Sequence, residues 1–382
     1  MSGSQQSFHS SDISHAILSI SRRSDLIGYR NVLSYASALG LRIYPESVVE
    51  LDTNPLGAGS HSATYRGTLH ETGKDSVVAV KQPNGSYTRD KREEEESVQH
   101  VGLSSIIQEA RILADPKLRS HPHLPHIIGI YFQVEIHPEG VRPCMILELA
   151  VMDFREFMYT HRSNSGDSRK LVRACSQIAS GLCALHAYGL VHGDVKPENV
   201  LMFERNGDLV AAVADLGTCG VPSQAETIVG TRHFWAPEVH PESRFRAFAN
   251  RFTRDIYSFG LVAFTASTRY RENLFPNDKS EQFKLQHDDK LCSDTLLAKM
   301  PQESVFDNVL RETVRLCVRT NPDSRPTIFE VARILEECVG ETKLVDLKAD
   351  VTAANHSRDL VDIQNITEGA LISDPTTPRA SI

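Results

Sequence analysis

A chain of 382 residues, 40% hydrophobic and 24% charged, exceeds what one core usually supports and fits a soluble, two-lobed or two-domain globular protein with tails. Its formal net charge of -8 offers no basic field to hold a nucleic acid, so none is expected as a partner.

Residues 1–12 are Ser-rich with little to bury and are expected to be disordered; Met1 to Ser7 lacks the basic start and apolar stretch of a secretory signal. Ser24 to Leu39 carries apolar residues near helical spacing, which predicts an amphipathic helix before the first strand. From Leu51 to Lys81 the pattern becomes short β-type runs with Gly-rich turns at Leu56–Gly59 and Glu71–Lys74, an antiparallel, hairpin-rich sheet ending in Val77-Val-Ala-Val80. The charged run Lys91–Glu96 reads as a solvated loop or a fraying helix start, and a helix is predicted over about Ser104 to Leu113. After a buried strand at Cys144–Leu147 the character turns helical. Leu171, Cys175, Ile178, Leu182 and Leu185 recur at steps of four and three, one face of a helix that Gly189 ends.

The longest uncharged apolar stretch, around Ile256 to Thr268, is shorter than the roughly 20 residues of a spanning helix, so no membrane segment is expected. Thr327-Ile-Phe-Glu330 matches a capping box opening a helix with Val331, Ile334 and Leu335 buried, and the domain is expected to close near Cys338. Beyond it the polar stretch 341–382 is expected to be a disordered tail. Seven scattered cysteines without a Cys-x-x-Cys pair read as reduced thiols of an intracellular, cytoplasmic protein; Cys219 is expected to be packed, not reactive.

The chemistry concentrates in five places, which together match the needs of γ-phosphoryl transfer: phosphates held from above, a cation on them, metals across their oxygens and a hydroxyl aimed in line. Leu56-Gly57-Ala58-Gly59 lies between two β-type runs, where glycines let backbone N–H groups approach phosphate, though a plain hairpin turn explains two glycines equally well. Lys81 ends Val78-Ala79-Val80-Lys81, where an apolar strand can deliver one cation into the interior; a snorkelling surface lysine is the plain alternative. Glu109 on the following helix can supply the carboxylate such a lysine needs, because Leu113 four residues on faces the core. The strongest signal is His192-Gly193-Asp194-Val195-Lys196-Pro197-Glu198-Asn199: Asp194 can accept a hydroxyl proton, Lys196 can neutralise the transferring group and Asn199 can ligate Mg²⁺. Asp215 in Asp215-Leu216-Gly217 adds a second metal ligand, and Gly217 permits a sharp reversal.

These motifs resemble the eukaryotic protein-kinase family over about Leu51 to Cys338. The resemblance implies an α+β fold of two lobes: an antiparallel β-sheet lobe with one key helix over 46–149 and a mainly helical lobe over 150–340, flanked by a partly helical extension over 1–45 and the 341–382 tail. It implies ATP and Mg²⁺ as cofactors. Leu56, Gly57 and Gly59 would cover the nucleotide, Thr64, Ala79 and Leu201 would enclose adenine, Leu147 would stand as gatekeeper, and the Glu148 and Ala150 backbones would bond the purine edge. Gly230-Thr231-Arg-His-Phe-Trp235-Ala236-Pro237-Glu238 is similar to the end of a kinase activation segment, which implies a protein substrate. Asp255 and Arg325 complete the likeness in structural roles, Arg325 pairing with Glu238. Lys196 and Thr231, at the family position that bonds the catalytic aspartate and lysine, imply serine or threonine as acceptor.

The chain departs from the family pattern where Ser62 replaces the third glycine, Thr64 the usual valine and Gly193 the usual arginine before the catalytic aspartate, and more mildly where Leu216 and Tyr257 stand at aromatic positions. Without that guanidinium, activity is expected not to require phosphorylation between Thr218 and Thr231. A scaffold or ATP-binding pseudokinase with little turnover remains the alternative. No residue pattern speaks to the oligomeric state.

Overall fold

The computed structural model describes residues 36–37, 40–59, 62–84, 93–136, 139–161, 168–222, 230–249, 251–276 and 278–340, with side chains at 93–103 and 134–141 excepted. The tail at 341–382 and the expected Ser24–Leu39 helix lie outside these residues, save that Ala36 and Ser37 are helical.

The first lobe is a six-stranded sheet of β1 (Ile43–Tyr44), β2 (Val49–Ala58), β3 (Ser62–Glu71), β4 (Lys74–Pro83), β5 (Ile127–Ile136) and β6 (Glu139–Glu148), in the spatial order β1-β5-β6-β4-β3-β2. β3 and β4 are joined by the two-residue turn Thr72-Gly73, where Gly73 takes the left-handed φ of 83° that a tight hairpin needs. Strand alternation then sorts the side chains of β4. Val78 and Val80 pack with Leu69, Tyr131 and Ile146 in one small core, while Ala79 joins the main core on the opposite face, which is also the face of Lys81. The pairing sets Thr64 opposite Lys81 and Ala79 opposite Leu147.

Two local expectations shift. Leu56, Gly57 and Ala58 lie inside β2 and not in a turn: register shifts after Leu51 and Pro55 let the strand bulge and keep pairing as far as Ala58, and the reversal falls between Gly59 and Ser62. The helix expected from Ser104 begins at Glu93, as α1 (Glu93–Ala114), taking in the acidic run.

The second lobe opens with β7 (Met152–Asp153) and α2 (Phe154–Thr160), which Asp153 caps by accepting the Glu156 amide. α3 (Ser168–Ala187) buries Leu171, Cys175, Ile178, Leu182 and Leu185 on one face and is followed by Gly189 at φ 75°, as the spacing predicts. β8 (Val200–Arg205) and β9 (Asp208–Val213) form a hairpin in a second sheet of order β7-β8-β9. α4 (Phe252–Thr268) is buried nearly throughout. α5 (Lys279–Gln286), α6 (Asp289–Lys299), α7 (Val305–Cys317) and α8 (Ile328–Val339) complete the helical lobe. The capping box at the start of α8 is present: Glu330 accepts the Thr327 amide, and the Thr327 side chain accepts that of Glu330. The α+β, two-lobed architecture is therefore the one the sequence implies.

One apolar core runs through both lobes, from Leu113, Met145 and Leu147 to Leu182, Phe259 and Leu335. Under α4, Arg325 donates to both oxygens of Glu238 at 2.6 and 2.8 Å with both side chains fully buried. All seven cysteines are free thiols. Burial pushes the Cys219 thiol well above its ordinary value, which keeps it protonated and inert. Among the described residues no helix is long and apolar enough to cross a membrane.

Candidate active site

The inward face of β4 and the buried face of α1 meet at a three-charge cluster. Lys81 Nζ lies 2.5 Å from Glu109 Oε2 and 2.7 Å from Asp215 Oδ1. Leu113 anchors the same face of α1, fully buried four residues on from Glu109. Burial alone would favour the neutral lysine, but Glu109 and Asp215 together hold its pKa above the ordinary value. For Glu109 burial dominates and raises the carboxyl, against the pull of Lys81. For Asp215 burial also pushes upward, yet Lys81, His192 and Lys196 outweigh it and keep the carboxyl ionised.

Asp215 sits at φ 61°, ψ 57°, a left-handed conformation that aspartate tolerates better than most residues, and the chain turns sharply through Leu216–Thr218. Gly217 is required there for a reason the sequence does not disclose. A Cβ on it would overlap Ser105 Oγ on α1, so the turn and the helix carrying Glu109 touch backbone to side chain.

The second cluster forms in the loop between α3 and β8. Asp194 is held from several directions: its Oδ1 accepts the Thr231 amide at 2.7 Å, and its Oδ2 accepts from Lys196 Nζ at 2.8 Å and from Asn199 Nδ2 at 3.0 Å. Lys196 Nζ also donates to Thr231 Oγ1 at 2.7 Å, closing a ring of Asp194, Lys196 and Thr231 across 37 positions of chain. From beneath, Asp255 on α4 accepts the amides of His192 and Gly193 at 2.7 and 2.9 Å. Burial would raise the Asp255 carboxyl, but His186, His192 and the Gly193 amide hold it below the usual carboxylate range. His192 Nε2 meets the Ala214 carbonyl at 2.9 Å, and the Ala214 amide donates to Asn199 O at 2.8 Å, which ties this loop to the Asp215 turn.

The donor set fits a hard cation shared with phosphate oxygens. The Asn199 amide nitrogen is used on Asp194 O and Oδ2, which leaves Oδ1 as the atom able to meet a cation, and the Asp215 side chain is 40% exposed beyond its bond to Lys81. Among the described residues no group of three or more His, Cys, Asp or Glu side chains gathers for a metal. Mg²⁺ ordinarily takes one or two protein carboxylates and completes its shell with waters and substrate phosphates, so two protein ligands suffice.

The remaining predicted residues lie on, or one or two positions beyond, strands of the two sheets. Gly57 has open space where a Cβ would stand, Leu56 is exposed, and the Gly59 carbonyl accepts from Asn84 Nδ2 at 2.6 Å. Ala79 and Leu147 are buried cross-strand neighbours; Thr64 and Ala150 are half-buried, as is Leu201 on β8. The Glu148 side chain is committed elsewhere, accepting the His126 amide at 2.8 Å and pairing with Arg205 of β8, and its own amide donates to the His126 carbonyl at 3.0 Å. Arg205 also donates to the Pro122 and Leu124 carbonyls. Ser105 and Arg205 carry contacts that no motif or period marks in the sequence.

A sequence profile described as Protein kinase domain matches residues 52–335. The chain is 25% identical over 316 residues to the dual specificity protein kinase shkE of Dictyostelium discoideum, covering 80% of this chain and 39% of that protein. It is 24% identical over 283 residues to the serine/threonine-protein kinase Tao of Drosophila melanogaster, covering 74% of this chain and 24% of that one. The serine/threonine/tyrosine-protein kinase HT1 of Arabidopsis thaliana is 24% identical over 299 residues, covering 75% and 67%. The chain thus spans less than half the length of the first two relatives and about two thirds of the third. With most of its length inside the profile and both lobes in place, the chain belongs to the protein kinase family.

Proposed function

We propose that the protein transfers the γ-phosphoryl of Mg-ATP to serine and threonine hydroxyls of protein substrates. The observation that carries this is the ring in which Thr231 and Lys196 hold the two oxygens of Asp194. A hydroxyl placed between Asp194 and the γ-phosphorus loses its proton to the aspartate as its oxygen bonds to phosphorus. The bond from phosphorus to the β–γ bridging oxygen breaks, and ADP leaves with that electron pair. Lys196, bonded to Asp194, would offset charge on the transferring group, and Lys81, steadied by Glu109, would hold the nucleotide phosphates. Mg²⁺, held by Asn199 and Asp215, would supply charge neutralisation across the phosphate oxygens.

Ser/Thr preference is supported by Lys196 and Thr231 bonding each other beside the base. A shallow pocket lined by Arg232, Trp235, His240, Lys279 and Gln282 begins one residue beyond Thr231, where a substrate backbone would run. Activity independent of activation-segment phosphorylation is supported by Gly193, which has no side chain to bind such a phosphate.

Radiolabel transfer from Mg-ATP to dephosphorylated casein, with wild type and Asp194→Asn, tests this. The substitution should lower turnover roughly 10²-fold or more with nucleotide affinity little changed. Equal activity in the two proteins would remove Asp194 from the role of base, and absence of turnover in both would favour a nucleotide-binding scaffold.

A further inference from the structure

Gly193 occupies φ 83°, a left-handed conformation at ease only for glycine, immediately before the proposed base. Two consecutive residues at the start of α4 grip its backbone from opposite ends. Asp255 accepts the Gly193 amide at 2.9 Å, and Arg254 Nη2 donates to the Gly193 carbonyl at 2.7 Å. Arg254 is 4% exposed, an unusual place for a guanidinium: burial pulls its pKa below the ordinary value, against the carboxylates of Asp255, Glu238 and Asp194 that act on it. The carbonyl it holds is closely covered on another side: a Cβ on Gly230 would stand 2.7 Å from Gly193 O and 3.4 Å from Asp194 Oδ1. Ser258, one turn along α4, lies 2.7 Å from the Phe234 carbonyl and 3.0 Å from that of Arg254, so the same end of the helix also touches the segment that follows Thr231.

We infer that Arg254 is a positioning residue for phosphoryl transfer: it fixes the Gly193 carbonyl from inside the helical lobe, and so sets the direction in which Asp194 leaves the backbone. The inference rests on the phosphotransferase reading above. A cation built into the core does here what a phosphate-captured guanidinium at position 193 would do from the surface. It holds the loop before the base and the end of the activation segment in one arrangement. Because this charge is buried and permanent, that arrangement does not depend on a covalent signal. An ångström of drift in a positioned base costs about 10²-fold in rate, without equal loss of nucleotide binding.

Arg254→Met keeps length and apolar packing while removing the donor, and Arg254→Lys restores one donor and the charge. Both variants and wild type are assayed with Mg-ATP and dephosphorylated casein at a temperature where all are folded. Turnover is expressed per nucleotide-binding site, counted by titration with a fluorescent ATP analogue. Arg254→Met should lose about 10²-fold in kcat with the KM for ATP changed less than about twofold, and Arg254→Lys should recover at least about tenfold of the loss. A purely structural arginine would lower the melting temperature and the number of sites but leave kcat per site unchanged. That result, or no recovery with lysine, overturns the inference while an active wild type leaves the phosphotransferase reading intact. A wild type that binds nucleotide but turns none over overturns that reading and this inference with it.

Discussion

Lys81 and Glu109 meet at 2.5 Å between β4 and α1, with 8% and 2% of their side chains exposed. Neither charge has water to fall back on, and Asp215 brings a second carboxylate to the same ammonium. Lys81→Met leaves those two carboxylates without their cation. Removing one partner of a buried pair costs about 3–5 kcal/mol. Urea unfolding should show that loss, with part of it recovered in the Lys81→Met/Glu109→Gln double variant, where the buried acid becomes a neutral amide. An unchanged urea midpoint in Lys81→Met would mean that the cluster is hydrated in solution.

Gly217→Ala should uncouple α1 from the Asp215 turn. The new methyl must turn the Ser105 hydroxyl out of its place and press on the Ser105 Cβ and carbonyl at 3.1 Å, which strains the helix that carries Glu109. Turnover is expected to fall about tenfold or more through misplacement of the Lys81–Glu109 pair. Ser105→Ala in the same chain removes the overlapping oxygen and should restore part of the rate. Failure of the second substitution to help would show that the backbone conformation of Gly217, and not the close approach, is what matters.

Arg325 and Glu238 are the most deeply buried ion pair described, both at 0% side-chain exposure, and Arg325 donates further to the Thr253 and Arg319 carbonyls. Arg325→Met should therefore destabilise by about 3–5 kcal/mol, because buried Glu238 is left without its hydrogen-bonded partner. Arg325→Met/Glu238→Leu should be closer to wild type than the single variant in thermal unfolding. A single variant with the melting temperature of wild type contradicts this.

Stability should fall as the solution is acidified below neutral. Burial first, and then the neighbouring Arg205, pushes the His121 imidazole down to about 4; burial and His121 do the same for His123. A folded-state pKa below the unfolded value means the unfolded chain binds more protons between the two. The stabilisation is thus present above about 6.5 and is lost as the pH falls towards 4. Allowing for partial exposure, the pair accounts for about 2 kcal/mol. Urea midpoints at pH 7 and pH 5 should differ by less in His121→Asn/His123→Asn than in wild type; equal differences would assign the pH dependence to other groups.

The local parts of this protein were open to reading residue by residue. Val77 to Lys81 alternates as a strand must, which already puts Lys81 on the side away from Val78 and Val80. The steps of four and three from Leu171 to Leu185, the Gly189 stop and the Thr327–Glu330 capping box are patterns confined to a few turns of chain, and the structure repeats them. Where a local pattern was compatible with two conformations the sequence reading slipped: two glycines after Leu56 suit a turn, but a bulged strand accommodates them too. The acidic run before Ser104 suits a loop or a helix start, and the structure has the second, with the helix reaching back to Glu93.

From the sequence alone came the chemical inventory, a base, two lysines, an amide and two further carboxylates at their spacings, because Asp194, Lys196 and Asn199 lie within one stretch of chain and family likeness assigns the rest. Tertiary structure alone decided what holds them. Thr231 closing on Asp194, Ser105 filling the space over Gly217, and Arg254 reaching Gly193 across 61 positions each depend on two distant segments packing to within a hydrogen bond of each other. Hydrophobic period and turn chemistry carry no record of such an approach, since they describe how each segment buries its own face and not which atoms the facing segment presents.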